Sequence, residues 1–331
     1  METKQFAPRR GMALARRMLG AGLIAGMLAL AACGGGGEEA ASGTPGAGAP
    51  LTPANPPVPP VPPVNNPDPG TPGVTKSAKR GVAYDLVSAQ DFAALAPGVS
   101  WWYNWAAKPN GTAPADATTT YSMDFIPMLW NDNFNDAAIE AWLLANPRVK
   151  YLLLMNEPNL TDQANLTPAQ AATVWPRYEA IAAHTGVKLV GPTITWGTMP
   201  GYQDPVIWMD AFYAAYRTAN GNRDPRIDYL AFHWYDYGLG GQLDRLMKYN
   251  KPFWVTEFAN WHSNADGAQI DTIEKQKQQM KEMVAICEQR ADVFRYAWFT
   301  GRWNNDMHFT SLLGGDGQLT ELGKYYIGLP F

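Results

Sequence analysis

The sequence predicts an α/β protein built as a (β/α)8 TIM barrel, a single domain spanning residues 78–331. Two observations carry this expectation. Short apolar runs alternate with segments bearing helix signals, and eight such runs fall within about 250 residues, the usual length of that barrel. No Gly-x-Gly-x-x-Gly turn follows the first run and no P-loop occurs, so the competing doubly wound sheet lacks its phosphate-binding signature.

The chain opens on a segment to be set apart from the fold. Lys4, Arg9, Arg10, Arg16 and Arg17 flank or precede Met18–Leu30, an apolar stretch too short to span a bilayer comfortably. Residues 1–32 therefore read as a signal peptide. Its end, Leu30-Ala31-Ala32-Cys33, resembles the bacterial lipobox, in which the cysteine becomes the lipid-modified first residue. The expectation is a lipoprotein anchored through Cys33 in the bacterial cell envelope, at the outer membrane or surface, or else a secreted protein. Residues 33–77 are rich in Gly, Ala and Pro and include Pro56-Pro57-Val58-Pro59-Pro60-Val61-Pro62-Pro63. Such a composition buries too little apolar surface to order itself, which predicts a disordered, polyproline-like linker.

Composition limits the partners. The net charge of −4 comes with no basic block, so neither nucleic acid nor an acidic membrane surface is expected, and the only membrane contact foreseen is the lipid. The 13 tryptophans supply flat apolar rings with a polar edge, suited to cores, interfaces and sugar faces. His184, His233, His262 and His308 are scattered without ligand spacing and there is no cysteine cluster, so no metal and no cofactor is expected. The domain is expected to be monomeric.

The candidate strands are Lys79–Asp85, Ser100–Trp105, Asp124–Trp130, Tyr151–Asn156, Val187–Pro192, Tyr229–His233, Pro252–Glu257 and Val293–Phe299. The fourth is the most telling: a wholly apolar run, as suits a strand buried on both faces, that stops abruptly on Asn156-Glu157-Pro158. Between strands, Asn135 opens a helix carrying Ile139, Trp142 and Leu143 and stopped by Asn146-Pro147, and Thr167-Pro168 opens another that ends at Gly186. A third begins at Asp271 with Glu274 as its capping-box partner and sets Met280, Met283, Val284 and Cys287 on one face, which makes Cys287 a packing residue.

Barrel active sites sit where the strands end. The residues there are Asn104-Trp105, Trp130-Asn131, Asn156-Glu157, Thr195-Trp196, His233-Trp234-Tyr235, Glu257 with Trp261 just beyond, and Trp298. Two glutamates on the fourth and seventh strands would face each other across a small barrel. Glycoside hydrolysis needs such a pair, one carboxyl protonated to donate to the leaving oxygen and one ionised to attack or to activate water. Aromatic rings suit pyranose faces, and Asn and His orient hydroxyls. Candidate substrate-binding residues are thus Asn104, Trp105, Trp130, Asn156, Trp196, His233, Tyr235, Trp261 and Trp298, while Trp101, Trp102, Trp142 and Trp254 read as packing. One carboxyl of the pair is expected to be protonated at rest, its pKa raised by the ionised neighbour.

Several segments, in order, resemble glycoside hydrolase family 128: Lys79-Arg80-Gly81-Val82, Trp101 to Trp105, Phe125 to Trp130, Asn156-Glu157-Pro158, Gln163 to Pro168, Ala231-Phe232-His233-Trp234-Tyr235, Trp254 to Ala259, Tyr296-Ala297-Trp298-Phe299 and Leu319-Thr320-Glu321-Leu322-Gly323. The resemblance covers nearly all of residues 79–331. It implies a retaining endo-β-1,3-glucanase acting on β-1,3-glucan, with Glu157 as general acid/base, and so the carboxyl protonated at rest, and Glu257 as nucleophile. It also implies that Asn156 bonds the 2-hydroxyl of the sugar at the cleavage point and that His233 and Tyr235 support the nucleophile and the same subsite. Asn159 departs from the Asn-Glu-Pro-Asp that the family pattern leads one to expect. Two other readings stay open at this point: a barrel hydrolase of another β-glycan, such as β-1,4-linked mannan or xylan, and a non-catalytic glycan-binding surface lipoprotein.

Overall fold

The computed structural model describes residues 75–331. The expected signal peptide, Cys33 and nearly all of the expected linker lie outside the described residues. Ordered contacts begin slightly before the boundary drawn from composition: Lys76 Nζ donates to the carbonyls of Ala96, Val99, Tyr121 and Ser122, and Ser77 is buried. An ammonium whose three N–H donors are shared among four loop carbonyls makes Lys76 part of the domain.

Nine strands form one parallel sheet: β1 (Arg80–Ala83), β2 (Trp101–Tyr103), β3 (Asp124–Phe125), β4 (Met128–Leu129), β5 (Tyr151–Leu154), β6 (Lys188–Ile194), β7 (Tyr229–Trp234), β8 (Phe253–Phe258) and β9 (Val293–Trp298). Their order is β3-β2-β1-β9-β8-β7-β6-β5-β4. The single strand foreseen over Asp124–Trp130 is thus split in two. Pro127 has no N–H to give a ladder. Before it, Ile126 N donates to Trp102 O, on the β2 side; at it, Leu153 N of β5 donates to Pro127 O. One short segment therefore bonds to both ends of the curled sheet.

Helices α1 (Ala89–Leu95), α2 (Ala117–Thr120), α3 (Asp136–Ala145), α4 (Pro168–Thr185), α5 (Pro205–Ala219), α6 (Leu239–Leu246), α7 (Ile273–Gln289) and α8 (Glu321–Gly328) fill the connections. Their starts follow from local chemistry. Asn135 caps α3 through Ala138 N, and Thr167 caps α4 in a reciprocal box with Gln170, closed at the other end by Gly186 at φ 79°. At α7 the cap is Thr272, whose hydroxyl accepts from Lys275 N, and not the Asp271–Glu274 pair read from sequence; Asp271 instead pairs with Lys275 at 2.9 Å. Cys287 packs in the core as expected. No helix among the described residues is long and apolar enough to cross a membrane.

The pleat sorts the side chains. Ala83, Trp101, Tyr103, Ile126, Met128, Leu153, Val190, Ala231, Trp254 and Ala297 form one buried cluster on the concave face. Their sequence neighbours, among them Val82, Trp102, Leu152, Leu154, Phe232, Val255 and Trp298, pack against the helices on the other. Alternation at period two is what lets both faces of so apolar a strand be buried.

Candidate active site

Glu157 and Glu257 end β5 and β8 at the same edge of the sheet. Glu157 follows the strand on left-handed backbone, φ 47°, and its amide donates to Thr193 O of β6. Trp105, beyond β2, has φ 58°. Bulky residues seldom adopt this region, and such strain is found where a fold holds functional side chains in place.

Each carboxyl is about 5 % exposed. One oxygen of each, together with a ring nitrogen of His233, lies within 4.8 Å of the others. Glu257 collects donors: Tyr103 Oη at 2.8 Å and Trp105 Nε1 at 2.7 Å on Oε1, and Tyr235 Oη on Oε2. Burial and the Glu257 charge push the hydroxyls of Tyr103 and Tyr235 well above their usual range, so both remain donors. Glu157 has a single side-chain partner, His233 Nδ1 at 2.9 Å. Its pKa is raised, chiefly by burial; the bond and charge of His233 oppose this, and the Glu257 charge adds to it. The raised carboxyl matches the expectation from sequence, but the ionised neighbour is a lesser cause than desolvation. For His233, burial would lower the pKa, yet the Glu257 charge and the contact with Glu157 raise it.

Glu157, His233 and Glu257 are also the kind of residues that hold a cation. Both nitrogens of His233 are engaged, however, Nδ1 by Glu157 and Nε2 by Thr256 Oγ1 at 2.9 Å, and Glu257 already accepts from three donors. The group fits a hydrogen-bonded acid pair better than a ligand shell.

The other residues singled out from sequence divide. Trp105 and Tyr235 touch Glu257, and Trp261 stacks on Tyr235 with centroids 4.2 Å apart. Asn156 is buried beside Glu157; its Nδ2 donates to Gln163, and its Oδ1 has no protein partner. Trp130 is half-buried against both clusters, and Trp196 is exposed, with the Arg245 guanidinium 5.6 Å over its ring. Three differ from their sequence reading. Trp298 is fully buried on the helix side of the sheet, its indole donating to Thr310 O, so it does not reach the cleft. His233 is fully buried with Nδ1 on Glu157 and Nε2 3.5 Å from Glu257, a place that fits the support of the carboxyls implied by the resemblance but not contact with a sugar. Asn104 ties its own loop, donating to Asp85 and Lys108 O and accepting from Ala106 N. Sequence reading missed Tyr103, Thr256 and Phe299; the Phe299 ring packs against Trp105, Tyr235 and Trp261.

Comparison with known proteins agrees with this chemistry. The family profile described as glycosyl hydrolase catalytic core matches residues 81–326. The crystal structure of a subgroup II endo-β-1,3-glucanase of glycoside hydrolase family 128 from Pseudomonas viridiflava is 63 % identical, over 78 % of this chain and 100 % of that one, with a TM-score of 0.77. This chain belongs to glycoside hydrolase family 128. Within family 128, a subgroup II enzyme from Sorangium cellulosum is 34 % identical over 76 % of this chain and 98 % of its own, TM-score 0.65. A subgroup I endo-β-1,3-glucanase from Amycolatopsis mediterranei, solved with laminaritriose, is 27 % identical over 76 % and 99 %, TM-score 0.58. No curated protein sequence matches the chain. The protein is a glycoside hydrolase with an α/β fold.

Proposed function

We propose that this family 128 member is a retaining endo-β-1,3-glucanase, with Glu157 as general acid/base and Glu257 as nucleophile. The observation that carries the proposal is the asymmetry of the acid pair: two buried carboxyls within 4.8 Å, one ringed by donors and the other raised toward its protonated form. Retaining glycosidases keep their carboxyls about 5–5.5 Å apart, whereas inverting ones leave room for a water between them. The likeness to a subgroup II endo-acting enzyme supports internal cleavage, although a subgroup III relative from Blastomyces gilchristii is described as exo-acting and curdlan-specific.

In the first step a Glu257 oxygen bonds to the anomeric carbon as the glycosidic C–O bond breaks, and Glu157 gives its proton to the departing oxygen. In the second, water attacks that carbon, Glu157 takes the water's proton, and Glu257 leaves. The donors from Tyr103, Trp105 and Tyr235 orient Glu257 for attack and stabilise its negative charge as it leaves. Asn156 Oδ1, a buried acceptor without a protein partner, suits a hydroxyl of the sugar at the cleavage point. The segment 124–129, bonded to β2 on one side and β5 on the other, supports reading the sheet as a closed (β/α)8 barrel. Lipidation at Cys33, a linker ahead of a monomeric domain and a place in the bacterial envelope belong to the same proposal.

The test is release of reducing ends from a linear β-1,3-glucan, with the products' anomeric form followed by NMR. Wild type should release the β-anomer first, and Glu257→Gln should release nothing. Glu157→Gln should fail on the glucan yet still act on a dinitrophenyl glycoside, whose leaving group needs no proton. Inversion of the anomer, or an active Glu257→Gln protein, would sink the assignment.

A further inference from the structure

Two loops meet at the rim of the cleft. The loop after β7 carries Tyr235 and Asp236; the loop after β8 carries Trp261, His262 and Asp266. Because Trp261 stacks on Tyr235, and Tyr235 donates to Glu257, the setting of Trp261 is passed to the catalytic carboxyl.

His262 follows Trp261 directly. Its Nδ1 lies 3.0 Å from Asp236 Oδ1 and its Nε2 lies 2.9 Å from Asp266 Oδ2. An ionised carboxylate only accepts, so a ring flanked by one on each side is fully satisfied only as the imidazolium, with both nitrogens donating. The ring is 13 % exposed, while the aspartates are about half exposed. The surrounding groups leave this arrangement to the ring alone. Tyr237 meets it edge-on at 5.3 Å, and its hydroxyl is committed to Ala268 O. Lys275 of α7 is turned to Asp271 and to the carbonyls of Gly267 and Gln269. His308, on Trp261, holds Ile270 O. Among the described residues no other cation pairs with Asp236 or Asp266.

We propose that His262, held as an imidazolium between Asp236 and Asp266, is a positioning residue that locks the Trp261–Tyr235 stack against Glu257, so that turnover depends on a proton outside the acid pair. The proposal rests on reading Glu257 as the nucleophile. The two aspartates raise the ring's pKa above 6.5, Asp266 contributing most. The clasp is therefore complete below that ordinary value and is lost as pH rises through the raised one.

The test pairs a ring titration with a pH profile. NMR of isotopically labelled histidine should show His262 keeping both ring protons above the ordinary imidazole pKa of 6.5. Turnover is followed on a dinitrophenyl glycoside of a β-1,3-linked glucose oligomer, which removes the demand for a Glu157 proton from the first step. Wild-type kcat/KM should fall about tenfold across the pH at which His262 deprotonates. In Asp236→Asn one raising charge is gone and the side-chain amide can donate to a neutral ring, so the ring should titrate at lower pH and that fall should vanish. His262→Gln should be about tenfold lower and flat across the range. A ring that titrates at or below its ordinary pKa overturns the proposal, as does a fall that is the same in all three proteins. If wild type turns over nothing, the assigned function fails instead. The clasp is then judged by whether affinity for the oligomer, from calorimetry, follows the His262 titration; an affinity independent of it overturns the proposal.

Discussion

Three donors converge on Glu257, and under the proposed mechanism each is a separate handle on the reaction. A hydrogen bond to a charged group contributes about 1.5–3 kcal/mol, so removing one from a developing or departing carboxylate should slow turnover roughly 10- to 150-fold. Tyr103→Phe and Tyr235→Phe are each expected to lower kcat by such a factor with little change in KM, as steady-state kinetics on a soluble β-1,3-glucan would report. The raised pKa of Glu157 sets a second expectation. Its proton is present below the raised value and lost above it, so glucan hydrolysis should decline on the alkaline side as Glu157 ionises, while cleavage of a glycoside with an activated leaving group should not share that limb. Of these residues, Glu157, Glu257, Trp105 and Tyr235 were legible in the sequence because each stands at or just past the end of an apolar run. Tyr103 was not. It follows Trp101 and Trp102, which read as packing, and was not itself singled out; only the parity of the pleat turns Tyr103 toward Glu257 and Trp102 toward the helices.

The same parity explains the error at β9. Trp298 ends a strand whose inward residue is Ala297, so the next ring to face the cleft is Phe299. Trp298→Ala should therefore cost about 3–5 kcal/mol of stability by chemical denaturation, as expected for a buried aromatic, while the oligosaccharide affinity of the folded fraction is unchanged. Strand positions were readable from apolar runs, but facing was not, because these runs carry apolar residues at both parities, as in Leu152-Leu153-Leu154 and Tyr296-Ala297-Trp298, and hydrophobicity then does not set the phase. Asn159 gains a physical role at this scale. It is fully buried, and its side-chain amide donates to Thr195 O at 2.7 Å and faces Tyr202 O and Gln203 O, while its backbone carbonyl accepts from Thr198 N and Met199 N. It therefore staples the loop that carries Trp196. A carboxylate there would meet three carbonyls with nothing to donate. Asn159→Asp should lower the melting temperature, by an amount corresponding to about 1–3 kcal/mol, and raise KM for glucan more than it lowers kcat.

At the scale of the molecule, the chemistry lies at one end of the sheet and the chain termini of the described domain at the other. Arg80, at the start of β1, is buried and donates to the carbonyls of Tyr326, Leu329 and Pro330 and to Tyr296 Oη, which fastens the last residues to the first strand. Arg80→Met would leave those acceptors without their donor, and a loss of several kcal/mol in denaturant unfolding is the expected outcome. The carbonyls held by Lys76 belong to Ala96, Val99, Tyr121 and Ser122, all of which precede β2 or β3. Whatever is joined ahead of residue 75 is thus attached at the floor of the molecule, away from the rim where Trp196, Trp261 and the clasped loops stand. A bead or surface coupled through that end leaves the opening free to meet a solid particle of polysaccharide, whereas coupling through the rim would block it.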